Sequence, residues 1–236
     1  NAPHSSICAN CHSFIGTTCM LTYLSAHWLR EPFSGLSHFA GALLALGGIA
    51  FMLVNTPQNM PYSYIAGYLC FGLGMLFMFL SSAIYHLADF SDAITLKLKR
   101  IDHIAIYFMI AGTYTPFCLV GLDENLRWPA LGLVWFLASA GVLKKILWLS
   151  APRWLSTLLY LGLGWLSLLI YPDLKQNIDP MAIKWLIAGG VIYSLGAVIY
   201  GLKWPNLHNR FGFHELWHIF VLGGAGCHFI SIGLYL

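Results

Sequence analysis

The sequence predicts an all-α, polytopic membrane protein of seven transmembrane helices, and three observations carry that prediction. Hydrophobic residues fill 58% of the 236 positions and charged residues only 9%, whereas a water-soluble domain carries about 25% charge. The apolar residues gather into seven runs near the roughly 17–25 residues that a helix needs to cross hydrocarbon. Clusters of proline and polar residues separate the runs, as in Asn55-Thr56-Pro57-Gln58-Asn59 and Tyr171-Pro172-Asp173. Backbone polar groups in hydrocarbon must be satisfied within their own segment, so each run is a helix. The short alternating segments of a barrel are absent from the sequence.

In chain order the expected spans are 39–54, 62–85, 101–121, 128–142, 154–171, 181–202 and 212–236. The fourth is short unless it runs on past Lys144 and Lys145, whose long side chains can snorkel to the interface. Residues 1–30 read as a disordered leader and 31–236 as the membrane domain. The leader has no basic stretch ahead of a clean apolar core, which disfavours a cleaved signal peptide. It contains Cys8-Ala9-Asn10-Cys11-His12, the CxxCH spacing of c-type haem attachment. An inside location and the lack of an axial Met partner weigh against haem.

Lysine and arginine set the expected orientation, because cytoplasmic loops hold the excess of basic residues. The side of the N-terminus has Arg30, Lys97, Lys99, Arg100, Lys144, Lys145, Arg153, Lys203 and Arg210, against Arg127, Lys175 and Lys184 opposite. Nine against three puts the N-terminus in the cytoplasm and the C-terminus outside. The basic residues form no stripe, so nucleic-acid binding has no support. Six cysteines show no framework spacing, and a disulfide scaffold is disfavoured. The expected location is a bacterial inner or plasma membrane, and the expected partners are membrane lipids.

Ionisable groups are costly in a bilayer and mark function there. His86 closes the second span, four residues after Ser82 on the same face. Asp102 opens the third, and His214 and His218 open the seventh, again four apart and about 6 Å along the axis. By the topology all of these lie at one depth, near the cytoplasmic surface. Any one imidazole there reads as an ordinary headgroup-level side chain. Three with a carboxylate in one layer suggest a zinc site of His86, His214 and His218, with an open position for water and Asp102 able to hydrogen-bond it. Copper, iron and nickel also accept imidazole. His38 shares the level as a supporting or merely interfacial group. His228 lies about 15 Å deeper, where a core hydrogen bond is expected.

His214-Glu215-Leu216-Trp217-His218 also satisfies H-E-x-x-H, in which the glutamate is a metalloprotease base. No acidic residue follows Glu215 to serve as the further ligand, and Val221 and Gly224 stand where the metzincin extension needs Gly and His. Glu215 equally suits a helix N-terminus, where the macrodipole favours an acid.

Four stretches resemble one family. Glu31-Pro32-Phe33-Ser34-Gly35-Leu36-Ser37-His38 resembles the opening E-x-x-S-x-x-(S/T)-H of the haemolysin III proteins, and Ser81-Ser82-Ala83-Ile84-Tyr85-His86 resembles their S-x-x-Y-H segment. Arg100-Ile101-Asp102-His103 through Tyr107, with Ala111-Gly112-Thr113-Tyr114-Thr115-Pro116-Phe117, is similar to their most recognisable run. Phe213-His214-Glu215 to His218 and Ala225-Gly226-Cys227-His228 resemble the closing helix. That family is similar to the progestin and adipoQ receptors, seven-helix proteins with a cytoplasmic-side zinc. The resemblance implies His86, His214 and His218 as ligands, with Ser82 and Asp102 around the bound water.

Three functions stay open at this point. A zinc-dependent hydrolase of lipid amides, ceramidase-like by the resemblance to the adipoQ receptors, would use Asp102 on the water and Ser82 on the developing oxyanion. A pore-forming or cytolytic protein is what the family name implies, although a pore wants rings of polar or charged residues that these spans lack. A sensor of the membrane state with a structural zinc needs no turnover.

Overall fold

The computed structural model describes residues 29–208 and 211–236. The leader up to residue 28, with its Cys8–His12 motif, lies outside the described residues, as does Arg210 of the charge count. Among the described residues there are eight α-helices: α1 (Pro32–Asn55), α2 (Tyr62–Leu87), α3 (Asp92–Gly121), α4 (Glu124–Leu147), α5 (Arg153–Trp165), α6 (Tyr171–Asn177), α7 (Pro180–Leu202) and α8 (Phe213–Tyr235), with a 3₁₀ turn at Leu166–Leu169 after α5. Among the described residues the only β-pairing is one isolated bridge, His208 to Phe211.

Six of these helices are long and apolar enough to cross a membrane, and the count is seven if one bent pair is a single span. The bundle is apolar on the outside as well. Leu43, Leu44, Phe51, Val54, Phe136 and Leu195 are exposed to the surroundings, which suits lipid and not water. The inward face of α1 is instead a row of small residues at helical spacing, with Ser34, His38, Gly41, Ala45 and Gly48 all buried. In hydrocarbon helices associate by close contact rather than by hydrophobic driving force, so small residues belong at the seams. At the seam between α2 and α3 the two backbones themselves come close. A Cβ on Gly112 would sit 2.8 Å from the Cys70 carbonyl oxygen, and one on Gly67 would sit 2.8 Å from Pro116 Cα.

The central helix is α3, which touches α2, α4, α5, α6 and α8, while α8 packs on α7 and α1 and closes the bundle. Residues 111–118 of α3 are buried on every side. Two helix starts follow their local chemistry. Pro180 occupies the first turn of α7, where its missing N–H costs nothing, and Asp179 accepts from the Met181 amide at 2.6 Å. Glu215 accepts from the Gly212 amide at 2.8 Å and caps α8.

The expected spans differ from the helices at three places. The first helix begins at Pro32, seven residues before the apolar run, because its opening turns bury polar Ser34 and His38 against protein. The third begins at Asp92, so Asp102 lies ten residues inside it rather than at its start. The fifth span is broken, with the α5 segment and α6 meeting at a 54° bend. Tyr114 of α3 stabilises the break: its hydroxyl lies 2.8 Å from the Leu163 carbonyl and 2.7 Å from that of Gly164. Cys70, Cys118 and Cys227 are free thiols.

Candidate metal centre

The turns of the bundle alternate between two ends. The α2–α3 and α7–α8 connections fall at the end where the described chain starts, so the last turn of α2 meets the first turns of α8. His86, His214 and His218 come together there, each offering a ring nitrogen within 4.8 Å of the others. The Nε2 atoms of His214 and His218 are 3.1 Å apart. Two imidazoles on one tetrahedral zinc, with Zn–N of about 2.0–2.1 Å, hold their nitrogens about 3.3 Å apart. Three imidazoles facing one point, two of them buried, are a donor set that fits a divalent metal.

His86 is oriented from behind. Its Nδ1 lies 2.6 Å from Glu31 Oε2. A carboxylate only accepts, so Nδ1 holds the proton and Nε2 keeps its lone pair for the cluster, the usual support of a metal-binding histidine. The same hydrogen bond holds the Glu31 carboxyl below the ordinary carboxylate range, against the opposing push of burial. Two main-chain bonds seat this segment, from the Glu31 amide to the His86 carbonyl at 2.9 Å and from the Arg30 amide to the Leu87 carbonyl at 3.3 Å, and the Arg30 guanidinium donates to the Tyr85 carbonyl at 2.7 Å. On the other side His38 is buried with its ring centroid 4.0 Å from that of His218. Neither of its ring nitrogens has a partner among the described residues.

The cluster opens into a cavity of about 1020 Å³ bounded by α3, α5, α7 and α8, at the upper end of the roughly 300–1,000 Å³ typical of ligand pockets. Met109, Phe117, Ile170, Leu174 and Leu186 line it at depth, and Ser82, Asp102 and His103 line it beside the histidines. Asp102 is half-buried, and Ser82 and His86 are among the groups facing its carboxyl. All five residues singled out in the sequence therefore share one cavity. His228 lines the same cavity away from the cluster, with Nε2 3.3 Å from the Leu186 carbonyl.

Comparison with known proteins decides the family. A profile described as Haemolysin-III related matches residues 26–229. The chain belongs to the haemolysin III family. It is 31% identical to Hemolysin-3 of Bacillus cereus over 92% of this chain and 96% of that relative. It is 34% identical to the Hemolysin-3 homolog of Bacillus subtilis (strain 168), over 87% and 94%. The human monocyte to macrophage differentiation factor is 26% identical over 70% of this chain and 68% of its own length. The chain is thus a haemolysin III-like integral membrane protein, and its bacterial relatives point to the plasma membrane.

Two members of this haemolysin III site escaped the reading of spans and histidines. Glu31 stands just before the first apolar residues, where a carboxylate looks like an ordinary loop acid. The signal that could have found it is its place in the Glu31…Ser34…His38 run. Lys145 could snorkel outward from the end of α4, yet it is 2% exposed and turns inward onto Ser156.

Proposed function

We propose that this protein is a zinc-dependent hydrolase of lipid amides, with His86, His214 and His218 holding the metal at the cytoplasmic end of the bundle. The observation that carries the reading is the junction of a three-histidine cluster with a large, mainly apolar cavity. A soluble substrate has no need of such a cavity, and a purely structural metal has no need of an opening beside it. Nine basic residues against three support the cytoplasmic placement.

Zinc in such a site acidifies water and polarises a carbonyl. The protein's own groups do the rest. The apolar walls hold the acyl chain and keep bulk water out. Hydrolysis adds the oxygen of water to the amide carbon and breaks the C–N bond, and both protons of water end on the nitrogen, leaving a carboxylate and an ammonium. Asp102 takes the water's proton and returns it to the departing nitrogen. Ser82 donates to the carbonyl oxygen as it gains charge, the role of an oxyanion-hole donor. Glu31 keeps His86 in the tautomer that leaves Nε2 free.

A metal that only ties α2 to α8 is the competing reading, because the cluster joins those two helices. Asp102→Ala separates the two. The hydrolase reading requires purified wild type to hold zinc and to release fatty acid from lipid amides. It also requires the variant to keep its zinc and lose release by 10²-fold or more, the usual scale of general acid–base catalysis. Zinc-loaded wild type that releases none from a panel of acyl amides sinks the hydrolase reading and leaves the structural one.

A further inference from the structure

The cytoplasmic end of the cavity holds more positive charge than the metal chemistry uses. Lys145, in the last turn of α4, is buried, and its Nζ donates to Ser156 Oγ at 2.9 Å. Lys144 donates to the same oxygen at 3.3 Å. Two ammonium groups thus converge on one neutral hydroxyl. Among the described residues no carboxylate lies within 4.0 Å of either; the ion pairs found join Arg30 and His86 to Glu31. Lys99 and Lys144 face Lys145, and of the acids only Asp102 does so. Lys99, Lys145, Arg153 and Ser156 all line the cavity.

Burying an ammonium without a counter-charge costs several kcal/mol. A lysine at the end of a spanning helix can avoid that cost by snorkelling to the interface. Lys145 does the opposite, and at least two of its three N–H donors have no acceptor among the described residues. Ser156 is similarly placed. Its oxygen receives two donors, and its own proton has no acceptor among the described residues. What these groups lack in common is an oxyanion.

We infer that the cavity binds an anionic amphiphile, with its phosphate or carboxylate oxygens on Lys145 and Ser156 and its chain in the apolar depth. Arg153 and Lys99, exposed at the rim, draw the head group in. The cavity supplies the reason for an amphiphile over a free anion: the cations stand at one end of a space whose far wall is Phe117, Ile170 and Leu174. This inference concerns binding and stands whether or not the metal site turns over amides.

The test compares three probes on purified, metal-loaded protein in an uncharged detergent. Lysophosphatidic acid and monoacylglycerol share one acyl chain and differ by the phosphate; inorganic phosphate is the third. The expected result is at least about tenfold tighter binding of lysophosphatidic acid than of monoacylglycerol, the scale of one charge-assisted hydrogen bond. Inorganic phosphate alone is expected to bind at least tenfold more weakly than lysophosphatidic acid. Lys145→Gln is expected to bring the ratio of the two lipids close to one, and Lys145→Arg to preserve most of it. Arg153→Gln changes an exposed side chain, so it keeps the test valid if the buried substitution does not fold, and it should lower the same ratio. Wild type stripped of metal with a chelator should keep the ratio, which separates this site from the metal. Equal affinity for the two lipids in wild type, or a ratio untouched by both Lys145→Gln and Arg153→Gln, overturns the inference. Inorganic phosphate binding as tightly as lysophosphatidic acid would assign the cations to a free anion and overturn it too.

Discussion

Removing the Glu31 carboxylate should weaken metal binding without unfolding the site. The perturbation is narrow, because the main-chain bonds that seat residue 31 on the end of α2 do not involve its side chain. The side chain supplies one charge-assisted hydrogen bond to His86 at 2.6 Å, a class of interaction that contributes about 1.5–3 kcal/mol when buried. Glu31 is 41% exposed, so solvent screening brings its effect to the low end. About 1.4 kcal/mol corresponds to tenfold in affinity, which agrees with the roughly 10–100-fold found when such supporting groups are lost. Glu31→Ala should therefore raise the zinc dissociation constant by about tenfold, read by competition with a chelator of known affinity. Glu31→Gln should lose less, since its amide oxygen still accepts from Nδ1. His214→Ala, which removes a ligand, should abolish stoichiometric zinc under the same conditions. An unchanged affinity in Glu31→Ala refutes the argument, and so does a loss as deep as that of His214→Ala.

Other outcomes follow from the same structure. Tyr114→Phe leaves the Leu163 carbonyl without its side-chain donor at the bend, while Gly164 keeps only the Ser167 hydroxyl. It should cost about 1–3 kcal/mol, seen as a lower unfolding temperature in detergent and faster hydrogen exchange around residues 163–170. Gly112→Ala places a methyl 2.8 Å from a backbone carbonyl that cannot turn aside. An overpacking loss of about 1–3 kcal/mol is expected with metal content unchanged, checked by thermal unfolding beside zinc analysis. For orientation, a cysteine replacing exposed Lys97 should react with an impermeant thiol reagent only after cells are opened, and one replacing exposed Lys175 should react from outside.

The polytopic helical architecture and the family were legible in the chain, and so was the shared level of the three clustered histidines. Runs of apolar residues near bilayer length have one stable conformation in lipid, which a linear reading can recognise. Depth is also linear information, because alternating spans assign every helix end to one of two surfaces. That is how His86, Asp102 and His214 could be placed in one layer from residues more than a hundred positions apart. Where hydropathy failed, it failed at polar residues that face protein and not lipid. Ser34 and His38 are buried in the first turns of α1, so the helix starts well before its apolar run. The break in the fifth span needs Tyr114 from another helix, and no property of residues 154–171 alone announces it.

The side chains' bearings about each helix axis were the part only the tertiary structure decided. A sequence fixes which residues share a face, but not which neighbour that face meets. Glu31 became the support of His86 because two segments 55 positions apart are laced by main-chain bonds. Lys145 turned inward because a buried hydroxyl from the next helix lay within reach. The bilayer sets depth along the normal for every span at once, whereas rotation and neighbour choice come from packing among all the helices together. That physical difference is why a shared level could be read from the chain and a shared cavity could not.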